Sequence, residues 1–227
     1  MQAILGRIYI MGHGVGEPSY ASRAEYTHTW TGDPNSSELS SVTMVGPMKT
    51  YIALFRGINV GGNAVLPMKE LAALLGTLGA QEVKTYIQSG NAVFRMRDKD
   101  PRALSKRISA AIKKSHGFEP QVFLLELGEL ENAMAANPFP EAESEPKTLH
   151  VNFLASVPEK PGLKALERVR GDREQVVVKG RILYLHAPDG IGRSKLAANA
   201  EKLLGVSMTS RNWRTVCKML EMAKEYE

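Results

Sequence analysis

Two glycine-centred hairpin signals, each set in the same order of strand and helix patterns, constrain this chain more than any other feature. The first is Gln88-Ser89-Gly90-Asn91, which joins β-prone runs at residues 83–87 and 92–96. Before it come a short apolar run at residues 50–55 and a helical pattern that begins at Pro67. Met68, Leu71, Leu74, Leu75 and Leu78 follow at helical spacing until Gly79. After it, Pro101 opens a helix with Leu104, Ile108, Ala111 and Ile112 on one face, ending near Gly117, and residues 121–125 read as a strand. The order is β-α-β-β-α-β, the ferredoxin-like arrangement. The second hairpin signal is Lys179-Gly180, between strands at residues 175–178 and 182–186. A strand at 149–154 and a helix at 162–169 precede it, and a helix at 193–204 follows, giving β-α-β-β-α.

The expected fold is therefore α+β: two ferredoxin-like subdomains with antiparallel sheets, related by a degenerate duplication that rests on element order alone. The first spans residues 48–140 (βαββαβ) and the second residues 141–227. Between the two patterns lie a short helix near residues 127–136, the segment Asn137-Pro138-Phe139-Pro140, and an acidic loop with Glu141, Glu143 and Glu145. A terminal helix over residues 213–224 places Trp213, Val216, Leu220 and Ala223 on one buried face.

Residues 1–47 do not join this pattern. Gly12, Gly14, Gly16, Pro18, Gly32, Pro34, Gly46 and Pro47 punctuate them, and no helical or strand period of useful length appears. They read as a disordered N-terminal extension, with Met48 resembling a natural start. The apolar flavour of the first residues is broken by Arg7 and lacks a preceding basic region, which argues against a secretory signal.

Arg7 and Arg23 against Glu17, Glu25, Asp33 and Glu38 leave residues 1–47 two charges negative, so residues 48–227 carry +7 of a chain whose net charge is +5. A basic core favours acidic or phosphorylated partners over neutral ones. No run of 18 or more apolar residues is present, which argues against a membrane-spanning helix. The single cysteine, Cys217, permits neither an internal disulfide nor a paired-cysteine metal site. It reads as a small packing residue of a protein in the reducing cytoplasm.

Three loops that each precede a helix carry the candidate chemistry. Arg56-Gly57-Ile58-Asn59-Val60-Gly61-Gly62-Asn63 leaves the first strand, and its glycines let backbone N–H groups approach a ligand closely. It lacks the spacing of a dinucleotide fingerprint and of a P-loop. Gly190-Ile191-Gly192-Arg193-Ser194-Lys195 places two cations in the expected first turn of a helix, where the helix dipole disfavours them unless an anion sits on the exposed N–H groups. Thr209-Ser210-Arg211-Asn212-Trp213-Arg214 repeats the oddity, with Ser210 or Asn212 as the cap and Trp213 in the core. His150 and His186 fall on separate strands and read as sheet residues, and Ser89 as a turn serine with no base beside it. An RNA-recognition module would need closely spaced aromatics on its third strand, and only Phe94 is there.

The same segments carry a family resemblance. Tyr51-Ile-Ala-Leu-Phe-Arg-Gly-Ile-Asn-Val-Gly-Gly62, Thr85-Tyr-Ile-Gln-Ser-Gly-Asn91, Gly192-Arg-Ser-Lys-Leu196 and Thr209-Ser-Arg-Asn-Trp-Arg-Thr-Val216 resemble the signature segments of the bacterial domain of unknown function 1697 family. The resemblance extends over essentially all of residues 48–227. It implies two α+β subdomains of ferredoxin-like character and assigns no reaction.

The favoured functional expectation is binding of a small phosphorylated or otherwise anionic ligand through Arg56, Asn59, Gly61, Gly62, Ser89, Asn91, Arg193, Ser194, Lys195, Arg211 and Asn212. No metal or cofactor is expected, and whether a reaction follows binding stays open. A structural or protein-interaction role ranks second, and a nucleic-acid-associated module third.

Overall fold

Strand alternation in residues 49–55 sorts the first sheet into two faces, one covered by α1 and α2 and the other by a core shared with the second sheet. The computed structural model describes residues 47–227 apart from residues 63 and 99, so the expectation for the extension lies outside the described residues. β1 (Lys49–Phe55), α1 (Met68–Thr77), β2 (Gln81–Tyr86), β3 (Asn91–Met96), α2 (Pro101–His116) and β4 (Val122–Glu126) form the first unit of the pattern. Its strands are antiparallel in the order β2-β3-β1-β4. Tyr51, Ala53 and Phe55 face one way with Phe94 and Leu124, where Leu71 and Leu75 of α1 and Leu104, Ile108 and Ile112 of α2 cover them. Asp100 caps α2 by accepting from the N–H groups of Arg102 and Ala103, and Gly117 ends it in a left-handed conformation that glycine adopts without strain.

The second unit repeats the plan after α3 (Leu127–Ala135) and a short 3-10 helix at Pro140–Ser144, which replaces the expected acidic loop. It comprises β5 (Leu149–Leu154), α4 (Leu163–Val169), β6 (Gln175–Lys179), β7 (Ile182–His186), α5 (Lys195–Leu204) and β8 (Met208–Asn212). α6 (Trp213–Lys224) follows. β8 corrects the expectation: it pairs with β5, gives the order β6-β7-β5-β8, and makes the duplication of topology complete. Leu154, Leu183 and Leu185 face α4 and α5.

The remaining faces of both sheets share one core. Ile52, Leu54, Val93, Phe123 and Leu125 of the first meet Leu149, Val151, Phe153 and Tyr184 of the second, with α3 and α6 contributing Leu130, Trp213, Val216, Met219 and Met222. Leu220 is only half-buried, and Met219 and Met222 take the inward positions of α6 beside the expected Trp213, Val216 and Ala223. Cys217 is exposed, so its expected packing role is corrected. Both sheets belong to one compact unit, Met48–Glu227. Among the described residues no helix is long and apolar enough to cross a membrane.

His150 on β5 is buried, with Nδ1 3.3 Å from the Thr148 carbonyl oxygen, and desolvation holds its pKa below the ordinary 6.5. Such a ring binds a proton more weakly in the folded chain than in the unfolded one. Its contribution to stability is therefore intact above the unfolded pKa and is lost as pH falls toward the folded value. Stability should decline as pH drops below about 6.5, and His150→Gln should flatten that part of the decline. Urea midpoints of the two proteins between about pH 5 and 7.5 measure the difference.

Candidate functional site

The C-terminal end of β1 is where the two units meet, and one side chain organises the junction. Thr209 and Arg211 alternate on β8 toward the first sheet, and both are buried. Arg211 Nε donates to Asn91 Oδ1 at 2.5 Å, and Nη1 donates to Thr209 Oγ1 and the Ser210 carbonyl, both at 2.8 Å. Nη2 reaches the carbonyls of Phe55 at 2.9 Å, Gly90 at 3.0 Å and Ser89 at 3.3 Å. A guanidinium has five N–H donors, and these six acceptors occupy all of them. No carboxylate is among the partners. Burial without a counter-ion pushes the Arg211 pKa down to about 10, which still leaves it charged at neutral pH.

The β2–β3 turn is shaped to receive that cation. Gly90 has φ +74, and a Cβ there would stand 2.7–2.8 Å from Ile58 and Phe55 side-chain atoms. Only glycine lets the chain pass at this distance while turning its carbonyl to Arg211. Asn91 is fully buried, and its Nδ2 donates to the Tyr86 carbonyl at 3.1 Å and Ser89 Oγ at 3.3 Å. Asn59, at φ 55, ties the glycine loop to the same turn. Its Nδ2 donates to the carbonyls of Leu66 at 2.9 Å and Gln88 at 2.8 Å, and its Oδ1 accepts from the Leu66 N–H at 2.8 Å.

These contacts revise the expected ligand set. Asn59, Asn91 and Arg211 spend their donors inside the protein, because the seam between the sheets would otherwise bury bare carbonyl groups. Ser194 and Asn212 are helix caps: their side-chain oxygens accept from the N–H groups of Ala197 and Thr215 at 2.9 Å each. Arg193 lies in a short 3-10 helix, Ile191–Arg193, ahead of the cap rather than in the first turn of α5. Arg193 and Lys195 are exposed, and among the described residues neither has an ion-pair partner. Gly61 and Gly62 are exposed with open space around them, and Ser89 is exposed on its turn.

Arg56 remains beside an opening. Its Nη2 lies 3.0 Å from each carboxylate oxygen of Glu201 on α5, and its Nη1 donates to Gln121 Oε1 at 3.4 Å. Gln121 Nε2 donates to Ser207 Oγ at 2.7 Å, and the Met208 N–H donates to Glu201 Oε2 at 3.4 Å. A groove of about 560 Å³ runs here, with Ala197, Ala198 and Gly205 as its small residues and Arg56, Glu201, Lys202 and Ser207 as its polar ones. Lys195 stands six residues before Glu201, about 9 Å along the axis of α5. The structure thus gathers Arg56, Asn59, Ser89, Asn91 and Arg211 at one junction and leaves Arg193 and Lys195 at the far end of α5. Glu201, Lys202, Ser207 and Gln121 carry no motif, so their meeting was not legible in the sequence.

Arg211→Met, which keeps length and removes every donor, should destabilise the protein by about 2–4 kcal/mol by stranding buried acceptors. Arg211→Lys should recover only a small part, because an ammonium has three donors and cannot span the same acceptors. Urea unfolding of both variants measures the loss.

Comparison with known proteins agrees with this architecture and adds no chemistry. The solved structure of a conserved bacterial protein from Streptococcus pneumoniae is similar at a TM-score of 0.56 and 26% sequence identity, covering 78% of this chain and 99% of that one. No protein of curated function matches the chain. The family model described as protein of unknown function DUF1697 matches residues 48–184. That span holds the β1 and β2–β3 segments, while the segments at residues 192–196 and 209–216 lie beyond it. On that match the chain belongs to the DUF1697 family of proteins of unknown function.

Proposed function

We propose that the chain binds a small anionic ligand, with a phosphate or carboxylate group, in the groove between α5 and the C-terminal end of β1. The charge balance of that groove carries the reading. Glu201 is matched by Arg56, and Lys202 has no ion-pair partner among the described residues. Lys195, Ala198 and Lys202 follow one another at three- and four-residue spacing, so they share a face of α5. The small residues Ala197, Ala198 and Gly205 leave room for a ligand beside Arg56 and Lys202. An arriving anion would be held by the Arg56 guanidinium and the Lys202 ammonium, the one as a planar fork and the other as a mobile point charge. Ser207 Oγ adds a hydroxyl for orientation.

A thermal-shift series with inorganic phosphate, pyrophosphate, a sugar phosphate and a nucleoside diphosphate tests the reading, with the corresponding neutral sugar as control. A phosphorylated compound should raise the melting temperature, since a ligand that binds only the folded state stabilises it in proportion to the logarithm of its concentration over Kd. Arg56→Ala combined with Lys202→Ala should weaken that ligand at least about tenfold, or ~1.4 kcal/mol. The free protein should keep its stability to within about 1 kcal/mol, because an exposed ion pair contributes little. Absence of any shift across the series, or unchanged affinity in the double variant, returns Arg56 and Lys202 to a purely structural role.

A further inference from the structure

We infer that the free edge of β4 is a docking site for an extended acidic peptide, which adds to the first sheet as a further strand. The register shows which backbone groups are available. The Arg56 N–H donates to the Gln121 carbonyl at 2.9 Å, and the pairing continues as Leu54 with Phe123 and Ile52 with Leu125. In an antiparallel ladder bonded pairs alternate with non-bonded ones, so the N–H and C=O groups of Val122 and Leu124 point away from β1. The Glu126 N–H, next in that outward series, donates to Glu129 Oε2 at 2.9 Å. Among the described residues none pairs with the outward groups of Val122 or Leu124.

The two edges of this sheet differ in how they are defended. β2 carries the exposed charges Glu82 and Lys84, a register shift between Gln81 and Lys84, and a positive φ at Glu82. These are the usual devices that stop a strand from pairing with a stranger. β4, Val-Phe-Leu-Leu-Glu, keeps an unbroken register to β1, and its one charge, Glu126, stands at its last position and is paired with Lys49.

The undefended edge lies in a groove of about 460 Å³, with α2 on one side and Ala155 and Arg181 on the other. The anions around it are engaged: Asp100 caps α2, Glu119 pairs with Lys113 at 2.7 Å, and Glu129 closes the capping box of α3. Arg102 and Lys106, one turn apart on α2 and exposed, have no ion-pair partner among the described residues. Arg181 donates to the Leu154 carbonyl at 3.3 Å and stands 3.8 Å from Glu129. Asp100 keeps its negative charge while capping α2, but Arg102 and Lys106 outnumber it, so the unpaired charge of the groove is positive on balance. A peptide strand would satisfy the outward groups of Val122 and Leu124 through its own backbone. Its alternate side chains would point at Arg102 and Lys106, so acidic residues at every second position fit and basic ones are repelled. Arg102, Lys106 and the outward groups of Val122 and Leu124 do not line the Arg56 groove, so this site stands or falls separately.

The test uses the full chain and a fluorescently labelled peptide of alternating Glu and Val, with an alternating Lys and Val peptide as control. Fluorescence anisotropy should show binding of the acidic peptide alone. Arg102→Glu combined with Lys106→Glu, both exposed positions, should weaken it at least about tenfold. Hydrogen exchange should slow at the Val122 and Leu124 amides in the complex, and N-methylation of the peptide backbone should abolish that protection. Equal binding of the two peptides, no binding up to about millimolar concentration, or protection confined to other strands overturns the proposal. So does an RNA oligonucleotide that competes for Arg102 and Lys106 without protecting the β4 amides.

Discussion

A buried positive charge with no negative partner among the described residues holds the two sheets together at one end. Arg211 draws its stabilisation from the carbonyl dipoles of Phe55, Ser89, Ser210 and Gly90, from Thr209 Oγ1 and from the amide oxygen of Asn91. Such an arrangement tolerates little slack, because each acceptor must stay within hydrogen-bond distance for the charge to be borne in a medium of low dielectric. It fixes β8 against the end of β1 and the β2–β3 turn together. Asn59 then hangs the glycine loop from the same turn through Gln88. The junction can be described as a chain of hydrogen bonds from β8 through the turn to the loop.

This changes what the glycine-rich loop is for. Three non-glycine residues with positive φ, Asn59, Ala64 and Ile87, lie in the loop and turn that this chain joins. A β-branched isoleucine in that region is strained. The hydrogen bonds of Asn59 to Leu66 and Gln88 tie this loop to the turn. The segments that most resembled a phosphate cradle thus build the seam, while the cations that line the two grooves without an ion-pair partner among the described residues, Arg102, Lys106 and Lys202, are on α2 and α5.

The sequence made the element order legible because hairpins, helix periods and proline or glycine punctuation are local signals. β8 was missed for a reason the site explains. Its residues Met-Thr-Ser-Arg-Asn show no alternation of apolar and polar, since the inward positions are Thr209 and Arg211, polar groups that serve the seam. A buried arginine and a ligand-binding arginine look alike in a sequence, and only the tally of donors against acceptors separates them. Arg56 was noticed through its glycine loop, but its partner Glu201 is 145 positions away and carries no motif. A lone cysteine reads as a small packing residue in the sequence, yet Cys217 is exposed and Met219 and Met222 fill the inward positions of α6.

The shared core has a consequence for how the chain is made. Ile52, Leu54 and Val93 belong to the first pattern, but they are covered with the help of Trp213, Val216, Met219 and Met222 from the last helix. A ribosome delivers the covering residues last. Until α6 leaves the exit tunnel, the first sheet presents an apolar surface that α1 and α2 cannot reach, since they occupy its other face. The first unit, though complete in topology by Glu126, therefore waits for nearly the whole chain before its second face closes. During that interval an exposed sheet is open to aggregation or to chaperone capture.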